Sequence, residues 1–219
     1  MSDVAKEEIT IVAKYPSWLR VPVPFGGYTY RDYKTWDDTI RVELVDGMVY
    51  MMASPDEWHQ WVSGSIYRQL GNQLEGKKCT PYDAPFDVRL FYEADESDKT
   101  VYQPDILVIC DESKTKGLRY CKGAPDFIIE IISEYSEDRD LGEKRKKYEK
   151  AGVKEYWVVG KEELRVFILN GGKYTETIIK ITKELKQPIA CLDSCIIDFQ
   201  GMVDRYSGPE AREPLAGVK

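Results

Sequence analysis

Four blocks decide the fold: VYQPDILVIC (101–110), GAPDFIIEIIS (123–133), EDRDLGEKRKKYEKAGVK (137–154) and EYWVVG (155–160). The first two are apolar runs that each carry one carboxylate, Asp105 and Glu130. An ionised acid in a strand built for burial is costly unless it is paired or holds a metal. That cost makes the two acids the candidate centre of chemistry. Both runs look apolar on both faces, the pattern of strands covered on each side. The lysine-rich block predicts a helix over 137–151, closed by Gly152 as a C-terminal cap. Placed between strands 126–133 and 155–159, that helix fits a right-handed crossover.

Upstream, RVELVDGMVYMM (41–52) predicts a hairpin, with Asp46-Gly47 supplying the positive φ angles of a type I′ turn. Glu43 lies in its first strand. Ser54-Pro55-Asp56 predicts the start of a helix over 57–75, with Trp61, Ile66, Leu70 and Leu74 on its packed stripe. His59, the only histidine, falls in the first turn and reads more readily as a surface or hydrogen-bonding residue than as a catalyst. Thr29 can cap a short helix over 30–36. A strand is expected over 84–92 with Asp87 inside it, then a polar loop at 93–100 and a polar connection at 111–123.

Downstream, strands are expected at 164–169 and 173–179, joined at Asn170-Gly171-Gly172, followed by a short apolar segment and a last helical turn within 188–206. Residues 1–28 read as an extended arm, 29–206 as one domain and 207–219 as a disordered tail. The element order is that of an α/β or α+β protein with a mixed central sheet.

The chain has 219 residues, a net charge of −7 and a pI near 5.0, so it shows no overall basic footprint for nucleic acid. Locally, residues 143–154 hold six basic side chains against two acids, which suits a phosphate contact or a solvated helix face. No run of about 18 apolar residues is present, so no membrane span is expected. The N-terminal segment lacks the apolar stretch of a signal peptide, and a cytoplasmic protein is expected. The five cysteines have no zinc-site spacing and are expected as free thiols.

Two acids and a lysine form a metal-hydrolysis kit. Magnesium takes one or two carboxylates and keeps several waters. Asp105 and Glu130 can supply them if their strands are neighbours with facing side chains. The lysine would orient water or offset negative charge. Ile132, two positions after Glu130, excludes a lysine on that strand. With Leu141, Tyr148 and Gly152 inward on an α-helical wheel, Lys144 falls about 60° and Arg145 about 40° from Leu141, while Lys146 and Lys150 point away. From spacing alone, Asp140 and Lys144 at i,i+4 read more readily as a surface ion pair than as a catalytic placement of the lysine. Asp126 reads as a turn or edge residue, Tyr156-Trp157 as packing, and Ser133 as a strand end.

QPD, GAPDFIIEIIS, the following D, K and Y, and AGVKEYWVV together resemble the Uma-type restriction endonuclease family, a branch of the PD-(D/E)XK nuclease fold. ELVDGMVYMMASP, His59-Gln60 and APFDVRL resemble it too, and the likeness spans residues 28–200. It implies a restriction-endonuclease-like α/β core, a mixed central sheet flanked by helices. It implies catalysis by Asp105, Glu130 and Lys144, with Pro104-Asp105 as the PD element, Asp105 and Glu130 as metal ligands, and the lysine moved to the helix. Glu43 and Asp87 match further acids of the family, and His59 is a further candidate. The implied cofactor is Mg2+, or Mn2+ in its place, and the implied substrate is DNA. A homodimer would suit cutting of both strands. The net charge and the missing in-strand lysine support a second reading, a nuclease fold that binds DNA or protein without cutting. A metal hydrolase acting on a small phosphate ester is a third.

Overall fold

A computed structural model describes residues 27–36, 41–132 and 136–207. The expectations for the N-terminal arm up to residue 26, for Ser133 and for the tail beyond 207 lie outside the described residues. After a short helix α1 (Tyr30–Tyr33), strands β1 (Val42–Val45) and β2 (Met48–Met51) form the expected hairpin. Its turn residues Asp46 and Gly47 have φ of 50° and 81°. The turn also packs tightly. A Cβ on Gly47 would lie 2.9 Å from the Gly27 Cα, a backbone atom with no side chain to swing aside. Gly47→Ala is therefore expected to cost about 2 kcal/mol, read as a thermal midpoint lower by roughly 4–8 °C.

Helix α2 (Glu57–Leu74) is capped by Asp56, whose carboxylate accepts the His59 backbone N–H at 2.8 Å. It buries Val62, Ile66, Leu70 and Leu74; Trp61 lies one position off that stripe and is stacked by Arg205 at 4.2 Å. The expected strand 84–92 shrinks to β4 (Asp87–Arg89), and an unexpected strand β3 (Thr80–Asp83) precedes it. Pro81 and Asp83 disguise β3, because both residue types are depleted in strands. Proline is tolerated there because, among the described strands, β3 lies at the sheet edge and pairs with β6 alone.

The expected strand 101–110 is in fact two strands in different sheets. β5 (Val101–Tyr102) pairs with β1 and β4, whereas β6 (Ile106–Ile109) pairs with β3 and β8 (Phe127–Ile131). Between them Gln103-Pro104-Asp105 carries the chain from one sheet to the other, and Pro104 has no N–H with which to continue a ladder. The connection 111–123 is not wholly irregular either, since β7 (Tyr120–Lys122) adds in parallel to β4. One sheet thus runs β2-β1-β5-β4-β7. The other runs β11-β10-β9-β8-β6-β3, adding β9 (Glu155–Val159), β10 (Glu163–Asn170) and β11 (Lys173–Lys180). This second sheet is mixed: β8 and β9 are parallel and its other pairs are antiparallel.

Alternation along β6, β8 and β9 sorts the six-stranded sheet into two apolar layers. Ile106, Val108, Phe127, Ile129, Ile131 and Trp157 pack with the α2 stripe. Leu107, Ile109, Ile128, Tyr156 and Val158 join Tyr148, Val45, Tyr50 and Tyr102 on the other face. Glu130 shares the parity of Ile128, so it enters the second layer, between the two sheets.

The segment after β8 is not one regular α-helix. Arg139–Lys144 is wound as a π-helix, followed by α3 (Arg145–Ala151) and the left-handed cap Gly152 at φ 89°. The buried stripe is Asp140, Lys144 and Tyr148. Leu141, placed at the centre of the inward face by the wheel, is only partly buried. The described residues end with the antiparallel pair β12 (Lys186–Pro188) and β13 (Ile196–Asp198) and helix α4 (Gln200–Ser207).

One cysteine expectation is overturned. Cys79 and Cys110 are bonded to each other, with Cα atoms 3.9 Å apart, across the ends of the β3–β6 ladder. They lie 31 residues apart in sequence, so only that antiparallel pairing makes them neighbours. Cys121, Cys191 and Cys195 are free thiols.

Candidate active site

Asp105 and Glu130 meet because β6 and β8 are antiparallel neighbours. Their ladder pairs Ile106 with Ile129, so the next step places Asp105 opposite Glu130 on the face between the sheets. The Asp105 carboxylate is fixed from two sides. Its Oδ2 accepts the Ile131 backbone N–H at 2.8 Å and lies 3.0 Å from His59 Nε2. His59 is delivered by the first turn of α2, and its Nδ1 is buried without a hydrogen-bond partner among the described residues. Glu130 is 3% exposed and accepts two bonds on Oε1, from Lys144 Nζ at 2.9 Å and from the Tyr148 hydroxyl at 2.8 Å.

Lys144 is the hub. Besides Glu130, its ammonium lies 3.3 Å from Glu43 Oε1 and 3.3 Å from Asp140 Oδ1. Glu43, brought by β1, accepts Arg139 Nη2 at 2.9 Å and the Gln103 N–H at 3.2 Å. The Arg139 guanidinium covers the Tyr50 ring at 4.2 Å. Two sheets and the π-helix therefore all contribute to one cluster. Glu43, Asp105, Glu130, Asp140, Lys144 and His59 line a cavity of about 560 Å3.

The cluster has four acids against two permanent cations, and its electrostatics reflect the excess. Burial pushes the Glu130 carboxyl up to about 8; Lys144 opposes the rise while Asp140, Asp105 and Glu43 add to it. Asp140 is also raised, chiefly by burial. Glu43 goes the other way: burial acts upward, but Lys144 and Arg139 outweigh it. Burial would lower Lys144, yet Glu130, Glu43 and Asp140 hold it well above an ordinary lysine, so it stays an ammonium at neutral pH. His59 is raised as well, burial being overcome by its hydrogen bond to Asp105.

This donor set fits a magnesium-type cation. The described bonds to Asp105 fall on Oδ2 and those to Glu130 on Oε1, which leaves Oδ1 and Oε2 without hydrogen bonds among the described residues. A proton held at about 8 on a buried carboxyl also marks a place where added positive charge is welcome. Among the described residues no group of three or more His, Cys, Asp or Glu side chains forms a metal cage. A cation that takes one or two carboxylates and keeps most of its water needs none.

Two expected residues stand elsewhere. Asp87 does not line the cavity; it accepts bonds from the Tyr33 hydroxyl and Gln103 Nε2, both at 2.9 Å, and Gln103 links it to Glu43. Arg145 bonds back to the Leu141 carbonyl at 3.0 Å and lies over Phe167. The sequence alone gives no chemical role to Asp140, Arg139 or Tyr148. Tyr148 carried a signal, its place on the inward stripe. Asp126 accepts the Cys110 N–H at 2.8 Å and pairs with Lys154, and Tyr156 and Trp157 are core residues, so these three have the structural places expected of them.

Comparisons with known proteins bear on the fold and the family. A crystal structure described as a putative nuclease from Anabaena variabilis superimposes with a TM-score of 0.64 over 81% of this chain and 98% of that one, at 13% identity, which is a likeness of fold. No curated protein matches the sequence significantly. No described helix is long and apolar enough to cross a membrane. Residues 30–193 match the family model Uma2, "Putative restriction endonuclease", and this chain belongs to that family.

Proposed function

We propose that this protein is a magnesium-dependent endonuclease that hydrolyses DNA phosphodiester bonds in the acidic cavity. One observation carries the reading: Asp105 and Glu130 oppose each other across β6 and β8 with a buried ammonium 2.9 Å from Glu130. Asp105 and Glu130 would hold the metal, whose part is to polarise the phosphate and lower the pKa of a water. In the hydrolysis a water oxygen attacks phosphorus, one ester P–O bond breaks, and the departing oxygen takes a proton. Lys144 is too firmly protonated to be a base, so its role is to offset the negative charge that builds on the phosphoryl oxygens. Glu43 and Asp140 keep that ammonium aimed at the cavity, and Arg139 anchors Glu43.

His59 is a positioning residue that orients the Asp105 carboxylate. His59→Ala is expected to weaken Mn2+ binding and plasmid cleavage together by about 10–100-fold, the usual effect of losing a ligand's hydrogen-bond partner. An unchanged Mn2+ isotherm in calorimetry would remove that role. Cleavage itself is tested by incubating supercoiled plasmid with the chain and Mg2+ or Mn2+, with Asp105→Asn as control. A homodimer is the expected assembly for cutting both strands, and sedimentation shows whether it forms.

A second reading has its own observation. Lys144 already neutralises the Glu130 carboxylate through Oε1, and its charge opposes a metal at Oε2. If the lysine wins, the fold binds DNA without cutting it. Salt-sensitive DNA binding with no metal-dependent product would establish that reading.

A further inference from the structure

Beside the acidic cavity lies a second concavity of about 570 Å3, walled by Phe199 and Met202 near the start of α4, by α2, and by the turn after β9. The two share Trp58 and Lys161. Trp58 is the residue before His59, so its indole springs from the turn that fixes Asp105. Lys161 lies 5.8 Å from the centre of the Trp58 ring, and Lys180 stands on the rim. Both lysines are exposed, and neither forms an ion pair among the described residues. Among the described lining residues Glu162 is the acid.

The groove therefore joins an apolar floor, an aromatic face and two available cations, on a chain whose net charge is −7. A hydrophobic partner would use the floor and ignore the lysines. A double helix would use the lysines and ignore the floor, because its bases are stacked inside. A nucleobase with its own phosphate uses both. Stacking on an aromatic side chain is available to every base, and the backbone follows a cationic rim. A strand passing from the acidic cavity must cross Trp58 and Lys161, since both line each side of the junction.

We propose that this groove receives one unstacked base of the strand whose phosphate lies in the acidic cavity. Trp58 is the stacking platform and Lys161 meets the phosphate between the two sites. The substrate class is single-stranded or locally unpaired DNA. The proposal rests on the DNA-cleaving reading for the neighbouring cavity, but its test does not require cleavage.

The test is fluorescence anisotropy with the full-length chain in EDTA. It uses three labelled probes of equal length: a single-stranded oligodeoxynucleotide, its blunt duplex, and a strand of abasic sites with the same phosphates. The single strand is expected to bind at least about tenfold tighter than either other probe. Trp58→Ala is expected to weaken single-strand binding roughly 10–100-fold, and Trp58→Phe to retain most of it. Lys161→Gln is expected to reduce the slope of log affinity against log salt by about 0.7. Equal binding of the abasic strand overturns the proposal whether or not the Trp58 variants fold well. So does tight single-strand binding that appears only after removal of residues 208–219, which would give the groove to the chain's own C-terminal segment. Duplex cleavage indifferent to Trp58→Ala would sink this proposal and leave the nuclease reading standing. Base-dependent binding by a chain that cuts nothing would do the reverse.

Discussion

Lys144→Met is expected to abolish cleavage and to lower the thermal midpoint by roughly 6–20 °C, an effect no exposed lysine would give. Methionine roughly preserves the volume and removes the charge. Glu130, Glu43 and Asp140 then remain buried, each having lost the ammonium within 3.3 Å. Breaking a buried pair by deleting one partner costs about 3–5 kcal/mol, because the charge left behind has neither water nor a counter-ion. Loss of the cation facing the phosphoryl oxygens should cost about a thousandfold in rate.

The two effects are separable. The stranded carboxylates can take protons, so the variant should recover stability as pH falls toward 5. Adding Glu130→Gln should leave the midpoint near neutral pH little changed, because that carboxyl already holds its proton there, and should restore none of the activity. Thermal melts of the single and double variants across pH, beside plasmid cleavage, check this. An unchanged melt for Lys144→Met would mean that the ion cluster is not what holds the π-helix against the two sheets. Full activity would end the lysine's catalytic assignment.

The acids at the centre were legible for a simple reason. Asp105 and Glu130 interrupt apolar runs, and an interruption that costs free energy must be compensated by something. The β1–β2 turn was legible because Asp46-Gly47 is among the few dipeptides that accept two positive φ angles. Asp140 was not, because i,i+4 spacing to Lys144 looks the same on a wet helix face and in a buried one. Burial is decided by what packs above the helix, and here that is the β1–β2 hairpin, from about a hundred residues earlier. The sheet-to-sheet step at Gln103-Pro104-Asp105 had a visible signal, a proline inside an otherwise strand-like run. It was outweighed by the apolar residues on either side. β3, and with it the Cys79–Cys110 bond, had none, since its ladder is supplied by β6, a partner distant in sequence.

Glu130→Gln separates the metal question from the stability question. In the wild-type chain without metal, the folded Glu130 carboxyl holds its proton to about pH 8, while the unfolded chain sheds it near the ordinary value of 4.5. The folded state therefore binds more protons across that window. The stability this proton contributes is full below about 4.5 and is lost as pH rises through about 8. Its size is a few kcal/mol at most. Glutamine keeps an acceptor for Lys144 and Tyr148 but cannot ionise, so the variant should hold its thermal midpoint between pH 6 and 9 better than the wild type. Metal binding should show the mirror image. A cation at Asp105 and Glu130 must displace that same proton, so Mn2+ affinity in the wild type should rise by up to about tenfold per pH unit between 6 and 8, with proton release. In Glu130→Gln the affinity should fall by at least about a hundredfold and lose its pH slope. Calorimetric titrations of Mn2+ at pH 6, 7 and 8, each in two buffers of different ionisation heat, measure both quantities. A wild-type affinity independent of pH, or a variant that binds as tightly, would move the metal off Glu130 and leave that residue as Lys144's counter-ion, the arrangement a binding module without cleavage would have.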